Sequence, residues 1–138
     1  MRRILLIAAL AAVAVAAIAA SASAQRVTTI TALSIPRSQH RSGHSQIQRG
    51  VLVDPTDRDD HLGRFHAKFT PQGRRGLRIR AVAVFGGHGS LKVKGTVGRG
   101  DNRISVIGGT RAFNGAAGKL KIHTLKHGRA LLTFVFVQ

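Results

Sequence analysis

The amino-acid sequence predicts an all-β protein, with seven or eight short antiparallel strands arranged as a barrel or a sandwich. Three observations favour this fold class. Apolar and polar residues alternate with the period of two that gives a strand one buried face. Glycine-rich breaks recur at short intervals, and no stretch after residue 24 keeps a helical period. The chain is long enough for one such domain and no more.

The first 24 residues are predicted to be a signal peptide rather than part of this domain. A positive start, "MRR", precedes the apolar run "ILLIAALAAVAVAAIAA", and Ala22 and Ala24 form a small-x-small cleavage site. Cleavage after Ala24 would leave Gln25 as the first residue of a secreted or periplasmic protein. The alternative is an uncleaved anchor, because residues 4–20 are only slightly shorter than the roughly 20 apolar residues that span a bilayer.

The segment 25–49 is predicted to be a first strand followed by a polar lead-in. The β-branched stretch "RVTTITALSI" favours a strand that Pro36 terminates. The polar stretch "PRSQHRSGHSQIQRG" has no period and is predicted to be a loop. The aspartates that follow the short apolar run 51–53 are turn residues by type. They lack the glycine and glutamate of a calcium loop, so no metal site is expected.

The segment 50–138 is predicted to be the barrel. Segments 64–69, 90–95 and 119–126 alternate strictly, as strands with one solvated face do. Segments 76–85, 104–107 and 130–137 are apolar on both faces or nearly so. A strand of this kind is expected to be covered on both faces.

The composition is strongly basic, with 22 Lys and Arg residues against five acids and a formal charge of +17. Non-specific binding to polyanions is expected from this charge. The alternative is a solvated surface with no such partner. Base recognition usually adds aromatic platforms. Because the chain has no Trp and no Tyr, specific nucleic-acid recognition is not expected.

A glycine-rich stretch carries a family resemblance. The segments "VFGGHGSLKVKGTV" and "ISVIGGTRAFNGAAGKLKI" resemble the allene oxide cyclase and dirigent superfamily over roughly residues 50–138. The resemblance implies an eight-stranded antiparallel β-barrel with a small apolar cavity. It also implies structural roles for Gly108 and Gly109 at a sharp strand end, through positive backbone angles or close approach. Phe113 would be a plug, and Gly118 would be small because the barrel end is crowded.

Two departures from the family pattern bear on activity. Arg111 stands where the family usually has a glycine, and Ala117 stands where it usually has an arginine that is thought to line the dirigent cavity. The chain also lacks the glutamate of allene oxide cyclases and the tyrosines of dirigent proteins. Asp54, after a short apolar strand, is the one candidate catalytic acid, because its place resembles a family position.

The leading functional hypothesis is therefore a dirigent-like, non-enzymatic protein that binds a small apolar or phenolic ligand in the barrel, with no cofactor. One alternative is an isomerase or cyclase of the allene oxide cyclase type. Another is a basic envelope-associated protein that binds anionic polymers. Family members often form dimers or trimers, and the oligomeric state is left open.

Overall fold

The computed structural model describes residues 26–98 and 101–138, and the predicted signal peptide lies outside them. The described residues form a closed barrel of eight antiparallel strands, each paired with its neighbours in chain order. The prediction of an all-β, eight-stranded barrel is confirmed. β1 (Val27–Ser42), β2 (Ser45–Val53), β3 (His61–Pro71), β4 (Leu77–Phe85), β5 (Gly89–Gly98), β6 (Asp101–Gly109), β7 (Ala117–Thr124) and β8 (Ala130–Val137) are the strands. Three one-turn 3-10 helices, Gly73–Arg75, Arg111–Phe113 and Lys126–Gly128, lie in the connections.

The predicted alternation places one side chain in the barrel and the next outside. Along β5, Leu91 and Val93 are buried in the core while Lys92 and Lys94 are exposed. Because successive side chains of a strand point to opposite faces, the same rule holds around the barrel. The interior is apolar and the outer wall is rich in cations.

The predicted loop after Pro36 is instead the tip of a long hairpin. β1 continues through Pro36 to Ser42 and pairs with β2, with a bulge between Pro36 and Ser38. Its pairing with β8 ends at Ser34, so beyond that point one edge of β1 has no strand beside it. A proline, which donates no backbone hydrogen bond, fits at such an edge and at a bulge. Both β1 and β2 belong to the barrel, which therefore begins well before residue 50.

The two ends of the barrel differ. At the closed end, Phe113 packs edge-on against Phe85 and Phe136, with ring centroids 5.6 and 5.8 Å away. All three rings are buried. Edge-to-face packing of this kind adds to the stabilisation that burial alone gives. At the opposite end, called here the open end, lie the tip of the β1–β2 hairpin and the β7–β8 connection.

The expected cover over the second apolar face is missing for two strands. On β4 the outward Val84 is 41 % exposed, and on β6 the outward Ile107 is 58 % exposed. The inward residues of β6, Ile104 and Val106, are buried as predicted. Apolar residues on the outer faces of β4 and β6 therefore contribute to the surface instead of a second core.

Candidate functional site

A cavity of about 220 Å³ occupies the half of the barrel toward the open end. Inward positions of neighbouring strands hold alanine there: Ala67 on β3 is paired with Ala81 on β4, and Ala83 follows. Eight-stranded barrels are just wide enough for large side chains to fill or for one small ligand to enter. Three neighbouring methyl groups in place of larger side chains leave the space unfilled.

The rest of the cavity wall is also mostly apolar. Phe65, Phe69 and Ile79 line one side, and Leu132 and Phe134 on β8 line another. Pockets that bind small molecules are typically apolar with a few polar groups that fix orientation. The wall has this composition.

Four polar side chains line the cavity together with the apolar wall: Ser34, Gln48, Thr124 and Arg129. The Ser34 hydroxyl donates to the carbonyl of Ala130 at 3.1 Å, so its proton is engaged within the barrel wall. The Arg129 Nε donates to the carbonyl of Lys126 at 3.3 Å. This bond ties the guanidinium to the β7–β8 connection, where Arg129 lines the cavity.

Asp54, the candidate catalytic acid, does not line the cavity. It lies in the β2–β3 loop at the closed end, where its Oδ1 accepts from the backbone N–H of Thr56 at 2.8 Å and from its hydroxyl at 2.6 Å. The hydrogen bond from the Thr56 hydroxyl lowers the pKa of Asp54 most, and the bond from the Thr56 N–H lowers it further, because both bonds favour the carboxylate. Asp57 similarly accepts from the Asp59 N–H at 3.0 Å. These are turn bonds, and they hold the Asp54 carboxylate in the loop rather than at the cavity wall.

Gly109 is required by close approach and not by an unusual backbone angle. A Cβ on Gly109 would lie 2.5 Å from the Phe113 carbonyl oxygen and 2.6 Å from that of Ser90. Its φ is not in the left-handed region, so the positive angle considered from the sequence is not observed there. Gly108 has no atom within 4 Å of its would-be Cβ. Only the second glycine of the pair is therefore constrained by space.

The other residues of this connection lie where the barrel closes. Gly118 on β7 lets Phe136 of β8 approach closely, because a Cβ there would lie 2.5 Å from the Phe136 Cα. Phe113 is 8 % exposed and packs in the closed end. Arg111, where the family usually has glycine, has a φ of 54°, a conformation that glycine adopts more readily than other residues.

The residues that the structure describes contain no group of three or more His, Cys, Asp or Glu side chains that could hold a metal ion. None of their helices is long and apolar enough to cross a membrane.

No protein-family model matches the chain, and a search of curated proteins returns no relative. The allene oxide cyclase and dirigent resemblance accordingly stays a prediction from the sequence. What the structure adds is the barrel itself and its cavity.

Sequence reasoning missed most of the cavity's polar residues. Gln48 lies in the stretch predicted to be a loop, and Arg129 lies in a turn between two strands. One signal was present in the sequence: the inward positions of β3 and β4 include Ala67, Ala81 and Ala83, where a filled barrel would carry larger side chains.

Proposed function

We propose that the protein binds one small, mainly apolar ligand in the barrel cavity, with a phenolic or similar oxygen group directed to Arg129 and Gln48. The single observation that supports this proposal most strongly is the unfilled, apolar volume of about 220 Å³. A dry engineered cavity of about 150 Å³ holds benzene. The space therefore suits a molecule of one substituted ring.

The proposal is one of binding without catalysis. Acid–base catalysis needs an ionisable group within hydrogen-bond reach of the substrate. In the described part of the chain, neither a carboxylate nor an imidazole lines the cavity, and the ionisable side chain that does is Arg129. An arginine stays protonated at all ordinary pH values and suits anchoring an oxygen better than moving a proton.

The test is calorimetric titration with 4-propylphenol as the probe, on wild type and two variants of β4. Ala81→Leu places three more heavy atoms in the cavity, and we expect affinity to fall at least about tenfold, which corresponds to 1.4 kcal/mol. Val84→Leu, on the outer face of the same strand, is the control and should bind as the wild type does. Equal affinity of all three proteins, or no binding by the wild type, would contradict the proposal.

A further inference from the structure

A second concave surface lies on the outside of the barrel, across β3, β4 and β5 and reaching Ile107 of β6. It is a groove of about 440 Å³, called here the basic groove. Five basic side chains line it: His66, Lys68, Arg80, Lys92 and Lys94. Ala81, Val82 and Val93 of the barrel wall line both the groove and the ligand cavity, and nothing in the proposed function uses the basic side chains of the groove.

The strand register sets three of these cations side by side. Lys68 on β3 is directly opposite Arg80 on β4, and Arg80 is directly opposite Lys94 on β5. Directly opposite residues have Cβ atoms about 5 Å apart, and like charges in such positions are destabilising. The row of cations therefore destabilises the folded state, and a negatively charged partner would offset the repulsion.

No acidic side chain in the described part of the chain forms an ion pair with this row. Four of the five acids, Asp54, Asp57, Asp59 and Asp60, are in the β2–β3 loop at the closed end. The groove is therefore positively charged through Lys68, Arg80, Lys92 and Lys94. Clefts lined by one sign of charge concentrate ligands of the other sign.

Apolar side chains lie among the cations. Val82 lies between His66 and Lys92 in the register, and the exposed Ile107 borders the groove from β6. A sugar ring has C–H faces that pack on aliphatic side chains, and its acidic substituents reach outward to cations. The groove offers both kinds of contact on neighbouring strands.

The shape of the groove favours a single narrow chain over broader polyanions. A local concavity of about 440 Å³ fits one linear chain more closely than it fits the flat surface of a bilayer or the width of a nucleic-acid duplex. Single-stranded nucleic acids could enter, but they are normally held by stacking on aromatic side chains. The chain has six Phe residues and no Trp or Tyr. All six Phe residues belong to the apolar interior or pack against it.

From this geometry we infer that the basic groove binds a single linear chain of an acidic polysaccharide, with carboxylate or sulfate groups on the row Lys68, Arg80 and Lys94. This site lies across the barrel wall from the ligand cavity. Its occupant is recognised by charge at the cations and by the sugar faces at Val82 and Ile107.

The test compares two triple variants that remove equal charge. In the groove variant, Lys68→Gln, Arg80→Gln and Lys94→Gln act on the row itself. In the control variant, Arg37→Gln, Arg41→Gln and Lys126→Gln act on exposed cations outside the groove. The probes are a size-defined heparin hexasaccharide and an oligogalacturonate, measured by calorimetry at one fixed salt concentration.

We expect the groove variant to bind each probe roughly 30-fold more weakly, at about threefold for each exposed charge contact. The control should lose no more than about threefold. The folding of both variants is checked by thermal unfolding. The groove variant should melt no lower than the wild type, because the repulsion between the three neighbouring cations has been removed. Equal losses in the two variants, or no binding by the wild type, would overturn the inference.

Two further probes decide the class of partner. A 20-base-pair DNA duplex and vesicles of phosphatidylglycerol are titrated under the same conditions. Weaker binding of both than of the oligosaccharides supports the groove as a polysaccharide site. Tighter binding of either one, with the same loss in the groove variant, would show that the partner is of the wrong class and refute the assignment.

Discussion

The neighbouring glycines 108 and 109 allow one physical cause to be tested against a control one residue away. Gly109→Ala introduces a Cβ that would meet two backbone carbonyl oxygens, those of Phe113 and Ser90, and the Phe113 Cβ at 2.7 Å. Real Cβ atoms do not approach other atoms so closely, so the backbone must move. Gly108→Ala introduces the same methyl group into open space.

The magnitude follows from what the displaced atoms hold. The Ser90 carbonyl accepts from the Thr110 N–H at 2.9 Å, and the Phe113 carbonyl accepts from the Ala116 N–H at 3.1 Å. Weakening these two bonds costs about 1 kcal/mol each, and overpacking adds about 1 to 3 kcal/mol. We expect Gly109→Ala to lower the free energy of unfolding by about 3 to 5 kcal/mol, which is a fall in Tm of roughly 12 to 20 °C for a domain of this size.

The assay is urea unfolding and thermal unfolding of the two variants beside the wild type. Gly108→Ala should be neutral or stabilising by up to about 1 kcal/mol, because alanine has fewer unfolded conformations to lose. If both variants unfold like the wild type, the connection is not held against the barrel and the argument from close approach is wrong. If both are destabilised equally, the cause is the loss of glycine itself and not the contact.

Three other predictions concern separate parts of the chain. Phe113→Ala should lower the free energy of unfolding by about 3 to 5 kcal/mol, measured in urea, because it removes a buried ring that two other rings contact. Thr56→Val should raise the pKa of Asp54 toward its usual value in a carbon-detected NMR titration. Since that pKa is lowered in the folded state, the stabilisation is present at neutral pH and is lost as pH falls through the folded pKa. Intact mass of the exported protein should show Gln25 as its first residue, and a membrane-bound protein that keeps residues 1–24 would contradict cleavage.

The barrel could be predicted because its physical signal is local. The alternation of apolar and charged residues indicates which face of a strand is buried, without reference to any other segment. It is clearest along β5, at Leu91, Lys92, Val93 and Lys94. The hairpin at Pro36 could not be predicted in this way, since nearly all of its residues are polar and show no alternation. Pairing between backbones forms that hairpin, and backbone pairing leaves no mark on the order of side chains.

The cavity was less accessible to sequence reasoning than the barrel. Whether Ala81 adjoins empty space depends on Ala67 across the β3–β4 pair, and that neighbour is fixed by register. For Asp54, in contrast, the sequence suggested a functional position that the local structure does not support. Its place after a short apolar strand fitted a family position, but the loop turned its carboxylate to Thr56 instead of the interior.

Two features of the barrel reduce its stability, and neither is needed for folding. A cavity of about 220 Å³ forgoes up to about 5 kcal/mol at the 24 cal/mol per Å³ measured for buried cavities, an upper bound because this one opens to solvent. The row of Lys68, Arg80 and Lys94 adds like-charge repulsion. Total stabilities are commonly about 5 to 15 kcal/mol, so both costs are substantial. Binding sites often carry such costs. Ala81→Leu should therefore raise the free energy of unfolding while it weakens ligand binding at least about tenfold. A variant that loses both stability and affinity would identify the cavity wall as ordinary core.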